Sequence, residues 1–288
     1  MPVKVVYSEK LLEYEEKGHP ESPERLKAIE SLLRKRKDSF EFITPAACGE
    51  KELLLAHTEE LVRKVKENDF FDPDTPNIAE IYSYALLSCG AAVDAARIAL
   101  GGEKSFSLAR PPGHHAGRNG LGGFCYFNNM AVAVKKILLE TGLRVAVLDI
   151  DGHHGNGTEE ILKDEDNVIY VSLHQCPAFP GTGSVSFGNC HNFPVLPGVD
   201  SRKYMDKFVE ALGVIKNFSP DVLGISAGFD GHRDDPLLNL MLEDTHFYRM
   251  GRAVSRITGK IFVLLEGGYN IKTLGNTCFC FLNGLSDR

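Results

Sequence analysis

Four ionisable side chains crowd six residues of this chain: Asp149, Asp151, His153 and His154, in the stretch RVAVLDIDGHHGNGT from Arg144 to Thr158. Carboxylates and imidazoles are costly to bury unless they are paired or bind a metal. Asp151 and His153 stand two apart, so on an extended backbone they share a side, and Asp149 shares it with them. An Asp-x-His pair supplies two ligands of an open zinc site, which takes three protein ligands and keeps a position for water. A polar turn with a capping Asp is the plainer reading, but a cap uses one such group rather than four. A second cluster is the tandem His114 and His115, in a turn behind two prolines; Asp230 and Tyr269 follow the glycines of SAGFD and LEGGY. With Asp151 and His153, Asp230 makes a two-carboxylate, one-imidazole set whose formal charge cancels that of a divalent metal. Such a metal draws the pKa of a bound water towards about 7. His114 and His115 are then candidates for general base and acid, with Asp149 orienting one of them. Tyr269 can donate its phenol hydrogen to an oxyanion. Together these parts describe hydrolysis of an amide. Singly, each has an ordinary reading, as turn histidines, a capping Asp or a rim aromatic.

The elements that must position these groups alternate between strand and helix. Short runs rich in β-branched residues read as strands at Val3 to Tyr7, Ser105 to Ala109, Val145 to Ile150, Val168 to Leu173, Val222 to Ala227 and Ile261 to Leu265. Helices are expected from Pro23 to about Arg36 with Ser22 as N-cap, after Thr58, from Ile78 to Leu100, from Ala131 to Thr141, from Tyr204 to Phe218 and from Glu243 to Thr258. Gln175 to about Asp200 reads as a long irregular loop, and the tail from Asn270 as a last helix or an irregular cap. Alternation of this kind predicts an α/β fold, a central, mostly parallel sheet wound with helices on both faces, in one domain spanning 1–288. Four strands end in the polar clusters just named, and open α/β sheets bind ligands beyond the carboxyl ends of their strands. The clusters should therefore share one rim. Arg25 is expected in the first turn of its helix, where the dipole disfavours a cation, which points to a carboxylate or anion partner.

The 288 residues are 43% hydrophobic and 25% charged, an ordinary globular composition with material for one sizeable core. A formal charge of −7 argues against a nucleic-acid binder and permits a cationic substrate. Seven cysteines, an odd number without a CxxC pair, fit reduced thiols in a cytoplasmic protein. MPVKVVYSEK has no apolar signal-peptide core, and no apolar stretch is read as approaching 18 residues, so no membrane segment is expected.

At these residues the sequence resembles the zinc-dependent histone deacetylases and acetylpolyamine amidohydrolases. The likeness runs from His19 to about Asn270 and includes HPESPER, RPPGHHA, GGFCYFNN, LDIDGHHGNGT, SLH, FPGTG, SAGFD, DPL and LEGGYN. The GNGT and FD forms look like the class II branch and its prokaryotic relatives. The resemblance implies the arginase/deacetylase fold, a three-layer αβα arrangement, with one Zn²⁺ on Asp151, His153 and Asp230. It implies that His115 is the main proton shuttle, that His114, paired with Asp149, is its electrostatic partner, and that Tyr269 is the transition-state tyrosine. Phe124 and Phe179 match tunnel walls around the acyl-amine methylenes, Gly123 a backbone acceptor, and Asp74 a rim carboxylate that binds substrate backbone. The family also implies a structural K⁺ near Asp149, Asp151, His153, Ser172 and Leu173, and an inner acetate channel lined by Arg25. The implied substrate is an acetylated lysine side chain or an acetylpolyamine. Asn156 replaces a class I Asp, Asp234 stands where Gly is common, and long insertions are lacking, which leaves the choice of substrate open. Two other readings are a two-manganese ureohydrolase on the same fold and a catalytically silent binder of acylated lysine. The first needs carboxylates where Gly152 and His154 stand, and the intact Tyr269 and tandem histidines speak against the second.

Overall fold

Eight short strands, the central ones largely apolar, pair in register to make one sheet. The computed structural model describes residues 2–287. The strands are β1 (Val3–Val6), β2 (Phe40–Ile43), β3 (Ser105–Ser107), β4 (Val145–Asp149), β5 (Val168–Gln175), β6 (Cys190–Val195), β7 (Val222–Ala227) and β8 (Ile261–Leu265), ordered β2-β1-β3-β8-β7-β4-β5-β6. Every pairing is parallel, so the expected mostly parallel sheet is wholly so. Strands β4, β5, β7 and β8 are buried along their full length, as continuous apolar runs in a covered parallel sheet should be.

The helices are α1 (Pro23–Arg34), α2 (Glu50–Leu53), α3 (Glu59–Lys66), α4 (Ile81–Leu100), α5 (Asn129–Thr141), α6 (Asn156–Leu162), α7 (Ser201–Phe218), α8 (Asp244–Val254) and α9 (Ile271–Ser286). Crossovers between parallel strands are right-handed, so the direction of travel along the sheet decides each helix's face. The chain moves one way through α1, α7 and α8 and the other way through α4, α5 and α6. The packing agrees: α9 lies against α1 and α8, and α4 lies against α5. The result is the three-layer αβα arrangement. By length and composition α4 could span a bilayer, but it is mostly buried and serves as a core helix.

The chain order of the four polar clusters differs from their spatial order. Strands β3, β8, β7 and β4 are consecutive in the sheet, so the loops behind them meet at one rim. Several boundaries differ from the sequence expectation. Both outer strands were missed, β6 inside what reads as an irregular loop. Its Pro194 argues against an interior strand and is tolerated here because β6 is an edge. β2 is the other edge and is half-exposed, so it lacks a continuous apolar signature. Helix α4 starts at Ile81, behind a left-handed Glu80, rather than at Ile78, and α8 stops at Val254. Strand β5 runs through His174 to Gln175, and the tail is a full helix capped by Asn270. Thr58 caps α3 as expected, accepting from the Leu61 amide at 3.3 Å.

Candidate active site

Strand β4 stops at Asp149, so Asp151 and His153 do not share a pleat face as an extended backbone would place them. They meet through a turn instead. The Asp149 carboxylate accepts from the Asp151 amide at 3.1 Å, and the Asp151 carboxylate accepts from the His153 amide at 2.9 Å. Asp230, in the loop behind β7, accepts from the Gly152 amide at 2.7 Å and brings its second oxygen within 2.7 Å of His153 Nδ1. That nitrogen is also 3.2 Å from Asp151 Oδ1. The second Asp151 oxygen accepts from the Gly267 amide at 2.8 Å. Gly228 lets the β7 loop come this close, since a Cβ there would sit 2.0 Å from that oxygen.

The ligand atoms of Asp151, His153 and Asp230 all lie within 4.8 Å of one another, and among the described residues they are the only such group of three. The charges fit a cation. Burial and the neighbouring Asp151 carboxylate push Asp230 up to about 7. Burial also opposes ionisation of Asp151, but His114 and His153 outweigh it and hold that carboxyl well below the usual range. Two carboxylates and an imidazole, buried together with one nitrogen between them, suit a tetrahedral divalent ion that leaves a position open.

The tandem histidines come from the loop behind β3, and their rings lie 3.9 Å apart between centroids, tilted by 44°. Their surroundings separate them. His114 lies 3.2 Å from Asp149 Oδ2 and 3.9 Å from Asp151 Oδ1. Burial opposes its charge, yet Asp151 and Asp149 raise it to about 10. His115 is held well below the ordinary histidine range, by burial first and then by His114. Its Nδ1 is 2.8 Å from Asn156 Oδ1, which leaves Nε2 as the free nitrogen. Asp149 is in turn held by Tyr170, whose hydroxyl donates to Oδ2 at 3.0 Å and to the Gly155 carbonyl at 3.1 Å.

A cavity of about 230 Å³ opens over these groups, lined by Asp74, His115, Gly123, Phe124, His153, Phe179, Leu237 and Tyr269. Seven of the eight are residues singled out from the sequence. The Tyr269 ring sits edge-on to Phe124 with centroids 5.7 Å apart, and the Arg25 guanidinium lies 5.0 Å from it. Its backbone amide donates to Asp235 at 2.7 Å. Burial pushes the phenol well above its usual pKa, so it remains a donor. Gly123 has φ +54, and a Cβ there would meet His115 at 2.5 Å and Phe179 at 2.9 Å. Asp74 is at the exposed mouth.

Arg25 does not line this cavity. It is fully buried, binds Glu21 at 3.1 Å, donates from Nε to the Gly268 carbonyl at 2.7 Å and also donates to the Glu266 carbonyl. The carboxylate partner expected from its helix position is thus Glu21, which Arg110 shares at 2.8 Å. Asp149 and Ser172, two of the residues expected at a monovalent-cation site, are partners in the β4–β5 register. Sequence reasoning missed Leu237, Tyr170, Asp235, Glu266 and His57. Leu237 and Asp235 belong to the DPL motif and Glu266 to LEGGYN, and both motifs carry the family resemblance without marking these residues. His57 and Tyr170 stand alone among ordinary residues and carried no signal. His57 bridges the Gly117 carbonyl and the Asn128 amide, both at 2.9 Å.

A wholly parallel sheet in a three-layer fold, with an Asp–His–Asp cluster, a split histidine pair and a half-buried phenol at one rim, defines a hydrolase of the deacetylase type. Residues 19–285 match the histone deacetylase domain, and the chain belongs to the histone deacetylase and acetylpolyamine amidohydrolase family. It is 36% identical to a probable deacetylase of Archaeoglobus fulgidus, over 93% of this chain and 81% of that one. Among solved structures it superposes on the HDA15 HD domain with a TM-score of 0.91 at 35% identity, covering 99% of this chain and 88% of that one. It superposes on acetylpolyamine aminohydrolase from Burkholderia pseudomallei with a TM-score of 0.87 at 25% identity, covering 98% of each.

Proposed function

We propose that the chain is a zinc-dependent amidohydrolase that removes the acetyl group from an N-acetylated primary amine, an acetyl-lysine side chain or an acetylpolyamine, and releases acetate. The observation that carries this reading is one cavity lined by His153, His115 and Tyr269, with the buried Asp151 and Asp230 carboxylates clustered around that same His153. Bound there by those three residues, Zn²⁺ would polarise the amide carbonyl and acidify water beside it.

The remaining work belongs to the chain's own groups. Phe124 and Phe179 exclude water from the methylenes of the substrate, and the Gly123 carbonyl accepts from the scissile N–H. His115, neutral and with Nδ1 committed to Asn156, takes a proton at Nε2 from the attacking water and returns it to the leaving amine. His114, charged and held by Asp149, supports the negative charge that gathers nearby. Tyr269 donates to the oxygen that becomes an oxyanion. Asp74 at the mouth accepts from the substrate beyond the tunnel, and K⁺ near Asp149 and Ser172 would brace the loop that carries the ligands. The contacts of Arg25 favour a second role beside the acetate channel, fixing the Tyr269 loop through two carbonyls.

The test is acetate release from acetyl-lysine peptides and acetylputrescine, with elemental analysis of the same preparation. Turnover should require about one zinc per chain and vanish on chelation. Full turnover in the chelated protein, or a requirement for two metals, refutes the proposal.

A further inference from the structure

The catalytic groups proposed above come from separate strand ends, and hydrogen bonds from one further side chain join three of those ends. Glu266 follows β8 directly and is fully buried. Its Oε2 accepts from the Gly113 amide at 2.8 Å and the His114 amide at 3.2 Å, in the loop behind β3. Its Oε1 accepts from the Ser226 hydroxyl at 3.0 Å, on β7. Its own backbone amide donates to Ala227 at 3.0 Å, and its carbonyl accepts from Arg25. The next amide, Gly267, binds the Asp151 ligand, and Tyr269 is three residues on. A buried carboxylate is an acceptor only, and here it has three donors, so it is fully satisfied.

We propose that Glu266 is a positioning residue of the reaction: its carboxylate pins the tandem-histidine peptide to the Tyr269 loop and so sets the spacing between the proton shuttle and the oxyanion donor. This rests on the amidohydrolase reading for its catalytic consequence, though not for the pinning itself. The reason a carboxylate is used is reach and two oxygens, not charge. Burial raises Glu266 to about 7 against the pull of His114, so the environment does not favour the anion for its own sake. A glutamine fits the same geometry, since its oxygen can accept from both amides while its NH₂ donates to the Ser226 hydroxyl. An aspartate keeps the charge but is one methylene too short to span the gap.

Glu266→Gln and Glu266→Asp in the full zinc-loaded chain therefore separate the two roles. The glutamine variant should stay within about fivefold of wild-type kcat, with KM unchanged. The aspartate variant should lose on the order of 10²-fold in kcat at a similar KM and zinc content, because a misplacement near 1 Å costs about that much. Equal activity in all three proteins, or loss in the glutamine variant with retention in the aspartate one, overturns the proposal. Amide hydrogen exchange over residues 109–117 gives a readout that needs no turnover. It should rise roughly tenfold in the aspartate variant and stay near wild type in the glutamine variant. Unchanged exchange in the aspartate variant overturns the pin even if the chain hydrolyses no acetyl amide, in which case the amidohydrolase reading fails separately.

Discussion

Tyr269→Phe isolates one oxygen atom. The ring's neighbours are Phe124 at 5.7 Å between centroids and the Arg25 guanidinium at 5.0 Å, and both contacts survive the change. The backbone amide keeps its bond to Asp235. In the proposed binding mode the substrate methylenes would pack on Phe124 and Phe179 rather than on the phenol oxygen, so ground-state binding should be nearly untouched. What would be lost is one oxyanion donor, worth on the order of 10²–10³ in turnover, or about 3–4 kcal/mol. The expected result is therefore a large fall in kcat, a KM within about twofold of wild type and unchanged zinc content. Because burial holds the phenol well above its usual pKa, Tyr269 should not produce the alkaline limb of the wild-type pH profile. Steady-state kinetics on an acetyl-lysine peptide, with zinc measured on the same sample, is the assay. Retention of more than about a third of wild-type turnover when chemistry limits the rate would falsify the oxyanion role.

Asp230→Asn should abolish zinc binding and activity in a chain that still melts cooperatively, as elemental analysis and circular dichroism would show; an active, zinc-loaded variant removes Asp230 from the ligand set. Gly123→Ala puts a Cβ 2.5 Å from His115 on a backbone of φ +54, so kcat/KM should fall by about 10² or more. Wild-type kinetics in that variant would mean that the tunnel does not run past Gly123. His57 should make stability fall in acid. Burial holds it at about 4 against an ordinary 6.5, so the unfolded chain binds the proton first and stabilisation present above 6.5 is lost as pH falls towards 4. The shift is worth on the order of 3 kcal/mol. Urea midpoints at pH 7 and 4.5 should diverge in the wild type more than in His57→Gln, and equal divergence refutes the assignment.

The readable parts of this chain are those where one local rule speaks without competition. Interior parallel strands announce themselves because both faces are covered, and β4, β5, β7 and β8 were placed within a residue or two. Edge strands carry mixed sequences for the same physical reason, and β2 and β6 were lost. The site was legible because buried ionisable groups at strand ends have few innocent explanations. Its supports were not. Glu266 looks like one more acidic residue, Tyr170 like a strand aromatic, and their importance lies in partners 152 and 21 residues away along the chain. Even the correct pairing of Asp151 with His153 was reached through the wrong geometry, a pleat where the chain makes a turn.

His114 and His115 show what that long-range context does. They are adjacent, identical side chains in one loop; their residue types leave base and acid open between them, and only the family resemblance separates the shuttle His115 from its partner His114. The fold turns His114 towards Asp149 and Asp151, which keep it charged, and turns His115 towards Asn156 and the cavity, where burial and the charge of its neighbour keep it neutral. Groups whose environments push their pKa values apart sort themselves into acid and base. In the proposed mechanism His114 would therefore act on proton transfer without touching the moving proton, its charge helping to hold His115 in the form that can accept one. Asp149, fixed by Tyr170, holds the His114 imidazole, and Glu266 holds the His114 backbone amide, so the residue is anchored at both side chain and main chain.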